Sequence, residues 1–464
     1  RMLRLAAARL ACAAALLLAP AAAAETADVA MTDAEVAQAS REAVFFAPLA
    51  ADAAVARLRA RGAPDVLPAL ALALRYRGGD RQLLDAISAL AGERIRAWPD
   101  LMIWQETRPE APVHPSYRAV KLDLLARIDP NFLRFLGGDR SLPENMDIRR
   151  EEIGWGGVPV DGSPALDRPK MIAAGAADYL LDSDLVFGVE IAGDARAYPL
   201  RILGWHEMMN DVVGGQPVAL AYCTLCGAAL LFETDVDGME APLVFGSSGL
   251  LYRSNKLMFD RATDSLWNQF TGRPVTGPLK GSGIELDLRS VVTTTWAEWR
   301  RRHPETTVLS LETGHDRDYG SGVVYRDYFA SPDLMFPTSV GDESVAKRKD
   351  FVFGVRTVGA ARAWPVAAFA ETPVINDAVG ALEVVLVGDA EARTVRAYER
   401  RGRDFEAGET PDRLVAADGR WTVAEDALLG PDGARLPRVP GRLAYWFAWD
   451  GYFGAESTLY GEDG

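Results

Sequence analysis

The chain has 464 residues, 49% of them hydrophobic and 25% charged, with a mean hydropathy of −0.03, a make-up that supports ample core for about three domains of ~150 residues each. The 50 Lys and Arg against 65 Asp and Glu leave a formal charge of −15, which argues against nucleic-acid partners and against adhesion to anionic lipid by charge. With 3 Cys the chain is no disulfide scaffold, 4 His leave little room for a multi-histidine metal centre, and no apolar run approaches the ~20 residues of a spanning helix.

Residues 1–24 read as a secretory signal. Arg1, Arg4 and Arg9 form a basic start, Leu10–Leu18 an apolar core, and Ala22-Ala23-Ala24 a small-residue cleavage site before Glu25. A short anchor helix is the alternative, but the apolar core is too brief for one. Lipidation at Cys12 is disfavoured because Arg9-Leu10-Ala11 puts a charge where an apolar residue is wanted. Cleavage after Ala24 removes three arginines and no acid, taking −15 to −18, and leaves Cys223 and Cys226 as the only cysteines, with no transmembrane segment in the mature chain. The expected location is periplasmic or secreted, an oxidising compartment.

Residues 25–140 are expected to form a helical domain. Thr32 and Glu35 have the spacing of a capping box. Leu83, Leu84, Ile87 and Leu90 share a helical face that Gly92 ends, and Tyr117, Val120, Leu124 and Ile128 share another, stopped by Asp129-Pro130. The segments 51–61 and 65–77, separated by Gly62-Ala63-Pro64, resemble a HEAT-type hairpin.

From Glu151 the texture changes to glycine, proline and short β-branched or aromatic runs. Strands are predicted at Val186–Ile191, Pro217–Tyr222, Ala228–Glu233 and Leu243–Phe245, and a short helix at Thr295–His303. The alternation in Tyr445-Trp446-Phe447-Ala448-Trp449 predicts a closing strand packed on both faces, although such a row can also stack on sugars. A repeat runs through this region. Asp184-Leu-Val-Phe-Gly-Val189 recurs at 350–355, Ala195-Arg-Ala-Tyr-Pro199 at 361–365, and Asn210-Asp211 at 376–377, all offset by 166 residues. The predicted organisation is therefore α+β: a helical front domain, a first strand-rich unit over 141–345, and a second, degenerate one over 346–464.

Chemistry is expected at Tyr222-Cys223-Thr224-Leu225-Cys226-Gly227. Two thiols at this spacing can close a small ring or reach one metal ion, and the glycine permits a left-handed turn. A structural disulfide, two packed thiols, thiolate redox chemistry and metal binding are all compatible with it. The absence of a second pair excludes a zinc ribbon, and the absence of Cys-x-x-Cys-His excludes covalent haem. The repeat maps Cys223 to Asp389, Cys226 to Ala392, His206 to Thr372 and Glu207 to Pro373, while Arg196, Pro199 and Asn210-Asp211 are retained. Residues that differ together point to a shared task. Cys223, Cys226, His206 and Glu207 are thus the candidate catalytic set, with protonated His206 lowering a thiol pKa.

The alternative is copper or zinc held by Cys223, Cys226 and His206. His206-Glu207-Met208-Met209-Asn210 lacks the second His of a zinc protease, and Met208 and Met209 are candidate soft ligands or plain packing. Gly246-Ser247-Ser248-Gly249 lacks the spacing of a nucleophile elbow, and Gly277–Gly283 is no phosphate loop. Asp260-Arg261 and Trp267-Asn268-Gln269 fit either a pocket lining or ordinary turns and ion pairs.

The pattern resembles an uncharacterised family, domain of unknown function 3179 (DUF3179). The residues that carry the likeness are Gly157-Val158 with Asp161-Gly162, Ala195–Pro199, Trp205-His206-Glu207 with Asn210-Asp211, Tyr222–Gly227, Ser248–Tyr252, Met258–Arg261, Ser265-Leu266-Trp267 with Gln269, and Trp296–Trp299 with His303-Pro304. The resemblance implies no assigned activity. Some members look like selenoproteins at a cysteine of the pair, which implies redox chemistry; many have proline where this chain has Thr224. The strand-rich setting does not look like a thioredoxin. The readings in order are a thiol–disulfide or peroxide-type oxidoreductase with an unknown redox partner or small-molecule substrate, a copper or zinc protein, and a non-catalytic partner-binding module.

Overall fold

The chain enters its first helix at the capping box: the Thr32 hydroxyl accepts from the Glu35 amide and the Glu35 carboxylate accepts from the Thr32 amide. The computed structural model describes residues 31–462, and the export signal expected at 1–24 lies outside them. Helices Asp33–Phe45, Pro48–Arg61, Leu67–Tyr76, Arg81–Ala91, Trp98–Glu106 and Tyr117–Ile128 follow. Prolines sit in the first turns of three of them, where no amide bond is lost, and left-handed Gly62 and Gly92 close two. Leu83, Ile87 and Leu90 turn inward against Val36, Leu58 and Leu70. Among the described residues no helix is long and apolar enough to cross a membrane. The Lys121 amine, donating to the carbonyls of Arg150 and Ile153, ties the helices to the strand Ile153–Trp155.

Strands dominate from there. Among the described residues three five-stranded sheets form between 153 and 309. One is centred on Leu185–Ile191 and Asp194–Pro199, one on Met208–Val213, Gln216–Cys223 and Ala228–Glu233, and one on Phe245–Tyr252 and Asn255–Asp260. A four-stranded and an eight-stranded sheet follow between 351 and 459. The second half pairs its strands in the register of the first. Val186 faces Pro199 as Val352 faces Pro365, Asn210 faces Ala219 as Asn376 faces Val385, and Cys223 faces Ala228 as Asp389 faces Thr394.

The retained residues perform paired structural tasks. Arg196 and Tyr198 both bond Asp211, as Arg362 and Trp364 bond Asp377. Asn210 exchanges two bonds with the backbone of Phe245, as Asn376 does with Phe405. Trp299 packs so closely on Gly188, and Trp449 on Gly354, that a Cβ at either glycine would lie 2.3 or 2.1 Å from the ring.

The aromatic tail is a correction. Arg442–Tyr445 is a strand, but Trp446–Phe453 is a helix. Trp446, Phe447, Ala448, Trp449 and Phe453 are all buried, so the helix is enclosed on several sides and no strand-like alternation governs the segment. Across the two halves, Arg302 from the helix Trp296–Arg302 meets Arg396 and Arg438 at one buried carboxylate, Glu425.

Candidate functional site

The cysteines sit at the head of the hairpin formed by Gln216–Cys223 and Ala228–Glu233. Gly227 closes the turn at φ 60, and a Cβ there would lie 2.7 Å from the Phe351 ring, so both conformation and space demand glycine. Both thiols are unbridged and buried, with Sγ atoms 2.8 Å apart. That separation is short for two thiols and longer than the ~2.05 Å of a disulfide, so a small movement closes the bond.

A second hairpin delivers the surroundings. Tyr252 pairs with Asn255 across the two-residue turn Arg253-Ser254, both at positive φ. This geometry normally calls for Asn and Gly. Glu207, at φ 57, is a third strained residue beside the pair. The turn carries the Asn255 amide to 3.2 Å from Cys226 Sγ and the Ser254 carbonyl to 3.5 Å. Asn255 also donates to Gln269, whose own amide reaches the Ala221 carbonyl at 2.9 Å and that of Ala228 at 3.3 Å, fastening both strands behind the cysteines. From the second half, the Tyr445 amide donates to the Cys226 carbonyl, and the Tyr452 hydroxyl lies 3.3 Å from Asn255 Oδ1.

Glu207 is brought to the pair. Its carboxylate accepts from Thr224 Oγ1 at 3.1 Å and from Ser247 Oγ at 3.4 Å, and it lies 3.5 Å from the buried amine of Lys256. The Lys256 amine also donates to the Glu207 carbonyl at 3.0 Å. Glu207, Cys223, Thr224, Ser247 and Lys256 line one pocket of about 30 Å³. On the far side of the turn, Tyr222, Gly227, Phe351 and Tyr445 border a cleft of about 1330 Å³ between the two strand-rich halves.

The two thiols are electrostatically unlike. Burial opposes ionisation of both. At Cys223 hydrogen bonds from the Cys226 thiol and from the Lys256 and Cys226 backbone amides outweigh burial and the nearby Glu207 charge, and its pKa falls below the ordinary thiol value. At Cys226 burial is reinforced by bonding to Cys223 and by that neighbour's charge, and its pKa rises well above it. The surroundings thus favour a negative charge at Cys223 over one at Cys226.

His206 is not placed with them. Its Nδ1–H donates to the Pro164 carbonyl at 2.7 Å and its Nε2 accepts from the Tyr319 hydroxyl at 2.6 Å. Burial pushes its pKa down to about 4, against the pull of the Pro164 bond. It is neutral at neutral pH and is not the cation expected beside the thiolate. The three-ligand set Cys223, Cys226 and His206 is likewise not assembled, and no group of three His, Cys, Asp or Glu among the described residues is arranged to hold a metal ion. The copper or zinc site expected from those three residues is therefore not formed by them together. Met208 and Met209 are fully buried in the core.

The His206 geometry carries a pH signature. An unfolded histidine titrates near 6.5, so between about 6.5 and 4 the unfolded chain binds the extra proton. Stability should fall as pH drops through that window, by up to ~3 kcal/mol. Denaturant titrations of the wild type and His206→Gln at pH 7 and 4.5 check this, and the same loss in both would contradict it.

Lys256 and Asn255 complete the site without a motif that marks them in the sequence; Ser247 stands out only in the Gly246–Gly249 run and Gln269 only within a mixed polar and aromatic run. Compared with protein families, residues 160–456, about two thirds of the chain, match the family model described as protein of unknown function (DUF3179). No curated protein and no solved structure matches the chain.

Proposed function

The chain belongs to the DUF3179 family, and on that footing we propose that it is an exported thiol-based redox protein in which Cys223 is the nucleophile and Cys226 the resolving thiol. The observation that carries this reading is the pair itself: two unbridged sulfurs 2.8 Å apart at a turn that favours the charge on only one of them.

The second half supplies an internal comparison. We take the two strand-rich units to be related by duplication, preceded by a HEAT-like helical block, with residues 1–24 removed on export to the periplasm. At the position of Cys223 the second unit has Asp389, whose carboxylate accepts from the Glu391 amide at 2.9 Å and the Ala392 amide at 3.1 Å. The turn thus cradles an anion at its first position. In the first unit the corresponding amide of Cys226 serves the Cys223 sulfur. Glu207, held by Thr224, Ser247 and Lys256 in the pocket that Cys223 also lines, is our proposed acceptor for the proton that Cys223 gives up.

Alkylation against pH tests the assignment. In the reduced protein Cys223 should be modified first, with a profile whose midpoint lies below that of an ordinary thiol near 8.5. Cys226 should remain unmodified until the protein is unfolded. Equal modification of both sulfurs, or Cys226 first, would reverse the roles.

A further inference from the structure

We propose that the oxidant taken by this pair is a small hydroperoxide, hydrogen peroxide being the best fit, admitted through the pocket beneath Glu207 and Tyr325, and that protein and glutathione disulfides react with it more slowly. The inference rests on the redox reading above and names its substrate class.

Access decides the matter. Cys223 is 1% exposed and Cys226 is fully buried. Cys223 lines the small pocket, whereas neither cysteine lines the large cleft, which reaches the turn only at Tyr222, Gly227 and Tyr445. The route to the reactive sulfur therefore passes the half-buried rim of Gly156, Val158, Tyr325 and Phe336. Beyond that rim there is room of about 30 Å³, about twice the ~10–15 Å³ that one enclosed water needs. A molecule of two oxygens enters with a modest outward movement of the rim. A disulfide must bring two sulfurs in line with Cys223, each bearing a carbon chain, and must displace more of the rim to do so, which slows the exchange.

The polar groups suit a peroxide. The Lys256 amine offers a donor at the pocket wall, and the oxygens of Thr224 and Ser247, whose hydrogens go to Glu207, offer acceptors beside the Glu207 carboxylate. The Cys223 thiolate attacks one peroxide oxygen and the O–O bond breaks. The departing oxygen takes the proton held since Cys223 ionised and leaves as water or an alcohol. Cys223 is now a sulfenic acid. The Cys226 sulfur attacks it, the S–S bond forms, the S–O bond breaks, and the hydroxyl leaves as water with the Cys226 proton. Two electrons have passed from the two sulfurs to the peroxide.

The test uses the reduced full chain, with hydrogen peroxide, cumene hydroperoxide and oxidised glutathione as separate oxidants at equal concentration. Remaining thiols are trapped by alkylation in denaturant and counted by mass. Hydrogen peroxide should consume both thiols at least about tenfold faster than oxidised glutathione, because access limits exchange. Phe336→Ala should raise the rate with cumene hydroperoxide relative to hydrogen peroxide by widening the rim. Oxidation by glutathione disulfide as fast as by peroxide would overturn the peroxide assignment while leaving the redox reading intact. Failure of all three oxidants to form the internal disulfide would overturn both.

Discussion

Cys223→Ser should abolish two-electron oxidation of the protein, by at least ~10³-fold, because a serine oxygen cannot be carried to the sulfenic or disulfide level as sulfur can. Cys226→Ser should behave differently. Its Cys223 loses the thiol that lies 2.8 Å away but keeps the backbone amides of Lys256 and Cys226 that favour its charge. It should still react once with an oxidant and then stall as a sulfenic acid or a mixed species that a dimedone probe captures. Each substitution buries a hydroxyl in place of a thiol, at about 1–3 kcal/mol, so circular dichroism should show both variants folded. Equal loss of the first chemical step in the two variants would show that the sulfurs do not have separate roles.

The largest effect on stability is expected at Glu425. Its side chain is 4% exposed, and it receives Arg302 at 3.0 Å, Arg396 at 2.8 Å and Arg438 at 2.7 Å. Burial alone would raise its carboxyl pKa, but Arg396, His303 and Arg438 hold it well below the usual range. Glu425→Ala leaves three guanidinium groups around a missing anion and should cost about 3–5 kcal/mol. The carboxylate's folded pKa is depressed, so the stabilisation is present above its unfolded value near 4.3 and declines as pH falls below it. Denaturant unfolding measures both effects, and a loss below ~1 kcal/mol would mean that water or rearranged partners replace the carboxylate. This carboxylate joins the helix Trp296–Arg302 to the second half, so the variant should also loosen the seam between the two.

The frame was legible wherever local pattern and local structure coincide. Thr32 with Glu35, Gly92 after Leu90, and Asp129-Pro130 mark helix ends that depend only on neighbours. The repeated Arg, Asn and Asp positions fall on strands paired in the same register, because each fastens its own strand to the next. The tail was misread since five aromatic or small residues fit two periods equally, and the packing of Trp449 on Gly354 settles it.

The site was legible only in part. Cys223, Cys226 and Glu207 lie together, and the comparison of matching positions exposed them by their absence from the second half. His206 and Glu207 are adjacent, and spacing alone does not say which of them faces the sulfurs. The left-handed backbone at Glu207 sends the two side chains to different neighbours. Lys256 and Asn255 arrive from a hairpin nearly thirty residues downstream. Their one sequence cue is a lysine and an asparagine at the start of an otherwise apolar strand, Asn255–Asp260.

The central claim is that Cys223 and Cys226 form one reversible two-electron couple. Equilibrating the protein against a series of glutathione redox buffers, then trapping and counting thiols by mass, tests it most directly. The account predicts that both thiols disappear together at a single midpoint, with a slope for two electrons and the loss of two hydrogens from the mass. Two thiols that persist through the most oxidising buffer, and through added hydrogen peroxide, would contradict it.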